Sequence, residues 1–195
     1  MKAIRFAVLG LAALFVAACL PVTSKNPVGT TVGFKPDPAL IGLWKGHGED
    51  GDKDGYFAFL RNEQGTGMTA LLITPGKDTD EWGTFDLELA TLGANHLMNV
   101  HEGLKNGKPN DDEMAKENIV MLYRVGGDGK LTLALLDDKA TVAAVKQGRI
   151  KGEVAPGGSD DVRLTADPKQ LDAFFATKEG ATLFREKFVT LTKIK

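Results

Sequence analysis

The chain has 195 residues and a single cysteine, Cys19, so no intramolecular disulfide is available and stability must come from a packed core. It has only two serines: Ser24 in a Pro/Thr-rich stretch and Ser159 in a Gly-Gly-Ser-Asp-Asp segment that lacks a Gly-x-Ser-x-Gly elbow. Serine- or cysteine-based nucleophilic catalysis is therefore disfavoured by inventory. There is no basic excess either, with 24 Lys and Arg against 26 Asp and Glu, so nucleic acid and anionic lipid surfaces are not expected partners. The one long apolar run, Phe6 to Ala18, falls short of the ~20 residues that span a bilayer.

That run, with Lys2 and Arg5 before it and small residues after it, has the anatomy of an export signal. Its end, Val16-Ala17-Ala18-Cys19, resembles the lipobox of bacterial lipoproteins. The resemblance implies diacylglyceryl attachment to the Cys19 sulfur, cleavage before Cys19 by signal peptidase II and acylation of the new amino terminus. Residues 1–18 are then the signal peptide. Their loss removes Lys2 and Arg5, leaving 22 basic and 26 acidic residues and a net charge of −4. The same resemblance, with Leu20 instead of aspartate after the cysteine, implies residence on the periplasmic face of the outer membrane. Two or more acyl chains hold a protein stably to a bilayer.

Residues 19–38 are rich in Pro, Thr and Gly and show no sustained amphipathic period, which predicts a flexible tether. Residues 39–195 are one domain's worth of chain. Alternating apolar and polar residues, punctuated by turn residues, predict strands near 40–47, 55–61, 68–74, 82–92, 95–102, 119–125 and 131–135. A longer loop, Gly103 to about Glu117, interrupts the series. The period then lengthens: Asp138 caps a helix ending at Gly148, and Asp167-Pro168 opens another that places Leu171, Phe174 and Phe175 on one face. Short strands at 150–155 and 162–165 and a closing strand at 188–194 complete the prediction.

The expected fold is mainly β: an antiparallel up-and-down barrel with two or three short C-terminal helices and a closing strand. Gly42-Leu43-Trp44 is similar to the Gly-x-Trp motif of lipocalins, as is the strand series followed by a helix and a last strand. That resemblance implies a later arginine packed on Trp44, with Arg163 and Arg185 as the candidates.

Metal and cofactor signals are poor. His96 and His101 stand five apart on one predicted strand, which sends them to opposite faces, and His47 lies far from both in sequence. Asp50-Gly51-Asp52-Lys53-Asp54-Gly55 imitates the start of a calcium loop, but its twelfth position is Arg61, a cation. Gly46-His47-Gly48-Glu49-Asp50-Gly51 has dinucleotide spacing but leads into a strand instead of a helix. No catalytic residue, metal or cofactor is assigned. Tyr56, Phe57, Phe59, Trp82 and Phe85 are the candidate cavity-lining residues. The resulting expectation is a lipid-anchored envelope lipoprotein with a non-catalytic barrel that binds a small apolar ligand or an envelope partner. A structural or assembly lipoprotein and an envelope hydrolase using histidine and carboxylate chemistry are the alternatives.

Overall fold

A computed structural model describes residues 21–31, 35–47, 54–63, 67–77, 79–109, 116–155, 161–184 and 189–194. In chain order the strands are β1 Thr23–Ser24, β2 Gly42–His47, β3 Asp54–Arg61, β4 Met68–Thr74, β5 Glu81–Leu92, β6 Asn95–Lys105, β7 Lys108–Pro109, β8 Asn118–Val125 and β9 Lys130–Leu135. Helix α1 Asp138–Lys146, strands β10 Gly152–Val154 and β11 Val162–Leu164, helices α2 Pro168–Phe175 and α3 Lys178–Thr182, and strand β12 Val189–Lys193 follow.

Eight strands form a closed antiparallel barrel in the order β2-β3-β4-β5-β6-β8-β9-β12, each beside its predecessor in the chain but for the two-residue β7 and the short strands between β9 and β12. Two pairings complete the cylinder. β6 meets β8 from His96↔Tyr123 to Val100↔Ile119, and β12 meets β2 at Leu191↔Gly46, Thr192↔Lys45 and Lys193↔Trp44. Closure removes the ladder edges that an open sheet would present to other chains. All the barrel strands read from the alternation are present, and the expected fold class is the observed one.

Two apolar cores are separated by the barrel wall. Inside the cylinder, alternate residues of every barrel strand meet: Trp44, Phe59, Met68, Phe85, Leu87, Met98, Met121, Leu131 and Leu191 are buried together. Trp44, Leu131 and Leu191 are 0% exposed and Phe59 2%. At Gly46 a Cβ would lie 2.4 Å from Leu191 Cδ2, so glycine there leaves room for the side chain of its register partner on the closing strand. Outside the wall, Ala90, Leu97 and Val120 face Val142, Leu164, Leu171, Phe174 and Phe175 from the helices and β11. The capping of α2 is the one read from sequence: Asp167 accepts from Gln170 N at 2.9 Å and Pro168 opens the helix. The cap of α1 is Asp137, one residue earlier than predicted, accepting from Ala140 N at 2.9 Å.

The flexible tether is corrected over its described part. Val22 and Val28 are buried in the outer core, and β1 joins β8 antiparallel and β11 parallel. Val28 N–H donates to Asn99 Oδ1 at 2.9 Å, and Asn99 Nδ2 donates back to Val28 O at 3.1 Å. Gly29 N–H donates to Asp172 Oδ1 at 2.7 Å. Thr23 Oγ1 donates to Glu117 Oε2 at 3.0 Å, and Arg163 binds the other oxygen of that carboxylate. Proline and glycine, which suggested a linker, shape a strap whose partners lie far along the chain.

The end of the barrel where β2 starts and β12 finishes is plugged by residues 37–40. Trp44 Nε1 donates to Leu40 O at 2.7 Å, and Tyr123 Oη donates to Asp37 Oδ2 at 3.1 Å. Burial, aided by the neighbouring Asp37 carboxylate, pushes the Tyr123 hydroxyl well above the usual phenol range. The cation on Trp44 is Lys193, with Nζ 5.1 Å from the ring centroid. Of the two expected arginines, Arg163 pairs with Glu117 and Glu153 instead, and Arg185 lies outside the described residues.

Candidate functional site

The five aromatic residues expected to line a cavity do not converge. Phe57, Phe59 and Phe85 point into the barrel, with the rings of Phe57 and Phe59 stacked at 6.2 Å between centroids. Tyr56 and Trp82 lie on the other parity of their strands and face outward. The expectation grouped residues of both parities, and one residue along a strand reverses the side chain. The interior neighbours of the three phenylalanines are aliphatic and methionine side chains.

The outer surface of β2 to β5 has a different character. Register places Lys45, Tyr56, Ile73 and Trp82 side by side in one row across these strands. The next row is Leu43, Ala58, Leu71 and Thr84, extended by Ile194, whose N–H donates to Leu43 O at 2.8 Å. Beyond it Leu60 stands beside Thr69 and Asp86. The exposed large hydrophobic residues among those described are Leu43, Leu60, Ile73, Trp82 and Ile194, and all five lie on this wall. Single exposed apolar side chains are ordinary, whereas five on one face form the most apolar exposed region among the described residues.

Trp82 is held in place although it is 38% exposed. Its N–H donates to Asn106 Oδ1 at 2.9 Å, and Asn106 N–H donates to Trp82 O at 2.8 Å. Asn106 and Gly107 have φ of 49° and 78°, the left-handed pair of a tight turn between β6 and β7, and a Cβ on Gly107 would meet the indole at 3.4 Å. The turn thus props the ring from one side. At the same end of the wall Lys45 Nζ and Asp54 Oδ2 are 2.6 Å apart, and the hydrogen bond that the ammonium donates to this carboxylate raises Lys45 above its ordinary pKa.

Candidate chemistry from the sequence finds little geometry. His96 pairs with Tyr123 and is exposed, and His101 sits opposite Asp86 on the outer face, so these two histidines do diverge. The His47 side chain, Asp50 to Lys53 of the calcium-like segment and Ser159 fall outside the described residues, while Asp54 engages Lys45. Gly55 belongs to β3, so no helix follows the dinucleotide-like glycines. Ser24 is 0% exposed and donates to Asn26 O at 2.7 Å, which makes it a strap residue and not a nucleophile. Among the described residues no group of three or more His, Cys, Asp or Glu could hold a metal ion. Cys19 also lies outside the described residues. No described helix is long and apolar enough to cross a membrane.

Comparison with known proteins gave no matching family model, no matching curated protein and no matching solved structure. The sequence contained half of the signal for the outer wall: apolar residues on both parities between Tyr56 and Ile73 are more than a one-sided sheet needs. Bringing Leu43, Trp82 and Ile194 to the same surface requires the register between strands, which local pattern does not contain.

Proposed function

We propose that this chain is a lipid-anchored envelope lipoprotein, held through Cys19 on the periplasmic face of the outer membrane, whose barrel is a non-catalytic module that engages an envelope protein. The observation that carries the binding reading is the convergence of the five exposed apolar residues on the β2–β5 wall. Tyr56 and Trp82 on the outer wall leave the expected aromatic lining unassembled inside the barrel, which weighs against the small-apolar-ligand form of the expectation. His96 and His101 lie on opposite parities of β6, so these two do not share one site for the hydrolase alternative. The export signal and Val16-Ala17-Ala18-Cys19 support the anchor.

Two measurements test the two halves. Metabolic labelling with a clickable fatty acid should mark the wild-type chain and not Cys19→Ala, with maturation blocked by globomycin. An unlabelled wild-type chain would reduce it to an ordinary secreted protein. A photo-crosslinking amino acid placed at Trp82 should give a discrete adduct in intact cells, and one placed at Lys139 on α1 should not. Equal, diffuse adducts from both positions would remove the binding surface.

A further inference from the structure

We propose that the occupant of the β2–β5 wall is a second copy of the same chain, the two walls facing each other across a two-fold axis. This rests on the reading of that wall as an interface and names its partner.

The argument starts from the closed ladder. β2 to β5 each have a hydrogen-bonded neighbour on both sides, so another chain can meet them only through side chains. Face-to-face sheets pack about 10 Å apart with strands rotated about −30°, an angle set by their common twist. A second copy brings a wall of identical twist. The charges at the margin are of both signs: Lys45 and Asp54 form a pair whose side chains are 37% and 34% exposed, and Asp86 stands exposed near Leu60. An anionic lipid surface selects a cluster of lysines and arginines free of carboxylates, whereas at this end Lys45, Lys77, Lys105 and Lys108 stand among Asp54, Asp80 and Glu81. A self-pairing surface instead must carry both signs.

The registers specify a geometry. With the axis along the strands, between β3 and β4, each residue faces its mirror position in the same row. Tyr56 of one copy then meets Ile73 of the other, Ala58 meets Leu71, and the Lys45 ammonium lies over the Trp82 indole. That last contact is a cation–π pair, made twice by symmetry. The outer wall of a barrel is convex, so the contact is confined to these central rows and falls below the ~800 Å² per partner of a standard interface. The dimer is accordingly weak, with dissociation on the order of micromolar to tens of micromolar, and is favoured where copies are concentrated on a membrane.

Sedimentation equilibrium of the full chain carrying Cys19→Ser should show a reversible monomer–dimer equilibrium. Lys45→Glu and Trp82→Ser should each raise the dissociation constant at least tenfold with an unchanged melting temperature. In the same background Ala58→Cys should be joined into a covalent dimer by a short bis-maleimide linker, whereas Lys139→Cys on α1 should remain monomeric. A monomer at every concentration, with no preference between the two cysteine positions, overturns the proposal. If the Trp82 crosslinker then captures a different envelope protein, the interface reading survives without self-association; if it captures none, both fall. A blue shift of tryptophan emission on mixing with phospholipid vesicles would also overturn the proposal, by identifying a lipid surface as the occupant.

Discussion

The outward side chains of β6 and β8 and those of β3 and β4 occupy equivalent positions on one cylinder, yet they meet different surroundings. On the β6–β8 side, Leu97 and Val120 are 1% exposed beneath the helical layer and the N-terminal strap. On the β3–β4 side, Leu60 is 49% and Ile73 36% exposed. Hydrophobicity along a strand therefore does not report which wall is covered. Coverage depends on where residues 21–31 and the segment between β9 and β12 return to the barrel, and they return to one side only.

The sharpest way to break this contrast is to truncate the covered side. Phe175→Ala removes a ring that is 2% exposed and should cost about 3–5 kcal/mol, with Leu97→Ala at about 2–5 kcal/mol, both read from denaturant midpoints at constant slope. Ile73→Ala and Leu60→Ser on the bare wall should stay within about 0.5 kcal/mol. If the two walls responded alike, the difference in coverage would be wrong.

Asn99→Leu probes the strap alone. It leaves Val28 N–H and C=O without their partner in a buried setting and should cost about 2–3 kcal/mol. Amide exchange at Val28 should accelerate more than at Leu131, inside the barrel. Uniform acceleration would mean that the strap and barrel open as one unit.

Tyr123→Phe gives a smaller effect with a pH signature, and it reports on the barrel's plugged end, independent of either wall. Loss of the hydrogen bond to Asp37 should cost about 1 kcal/mol at neutral pH. Because the folded phenol titrates above its unfolded value of about 10, its contribution is complete below that pH. Above it, the unfolded chain releases a proton that the folded chain keeps, so stability falls by up to about 1.4 kcal/mol per pH unit. The phenylalanine variant should lack this component of the alkaline loss. An unchanged alkaline limb would show that the hydroxyl is not shielded as described.

The contrast between the walls also shows what a sequence can express. The barrel strands were legible because alternation is local, as in Phe85, Leu87 and Leu89 facing inward against Thr84, Asp86 and Glu88 facing out. Helix α2 was legible because Asp167, Pro168 and Gln170 carry its start within four consecutive positions. The strap was not: a two-residue strand has no period, and Asn99, Glu117 and Asp172 are remote from it in sequence. The cation on Trp44 was sought among arginines, and only the β12–β2 register shows that Lys193 stands opposite. The grouping of the five aromatics failed for a simpler reason, since Tyr56 and Phe57 are adjacent and adjacent strand residues diverge.

The pairing of β12 with β2 sets the order of events in making the molecule. A nascent chain that stops short of Val189 has every other barrel strand, yet it holds a sheet with two raw margins, at β2 and β9. Such margins recruit strands from other chains, so the chain is sticky until β12 is in place between them. Strand β12 is thus a clasp, and a frameshift or proteolytic nick there would do more harm than its short length suggests.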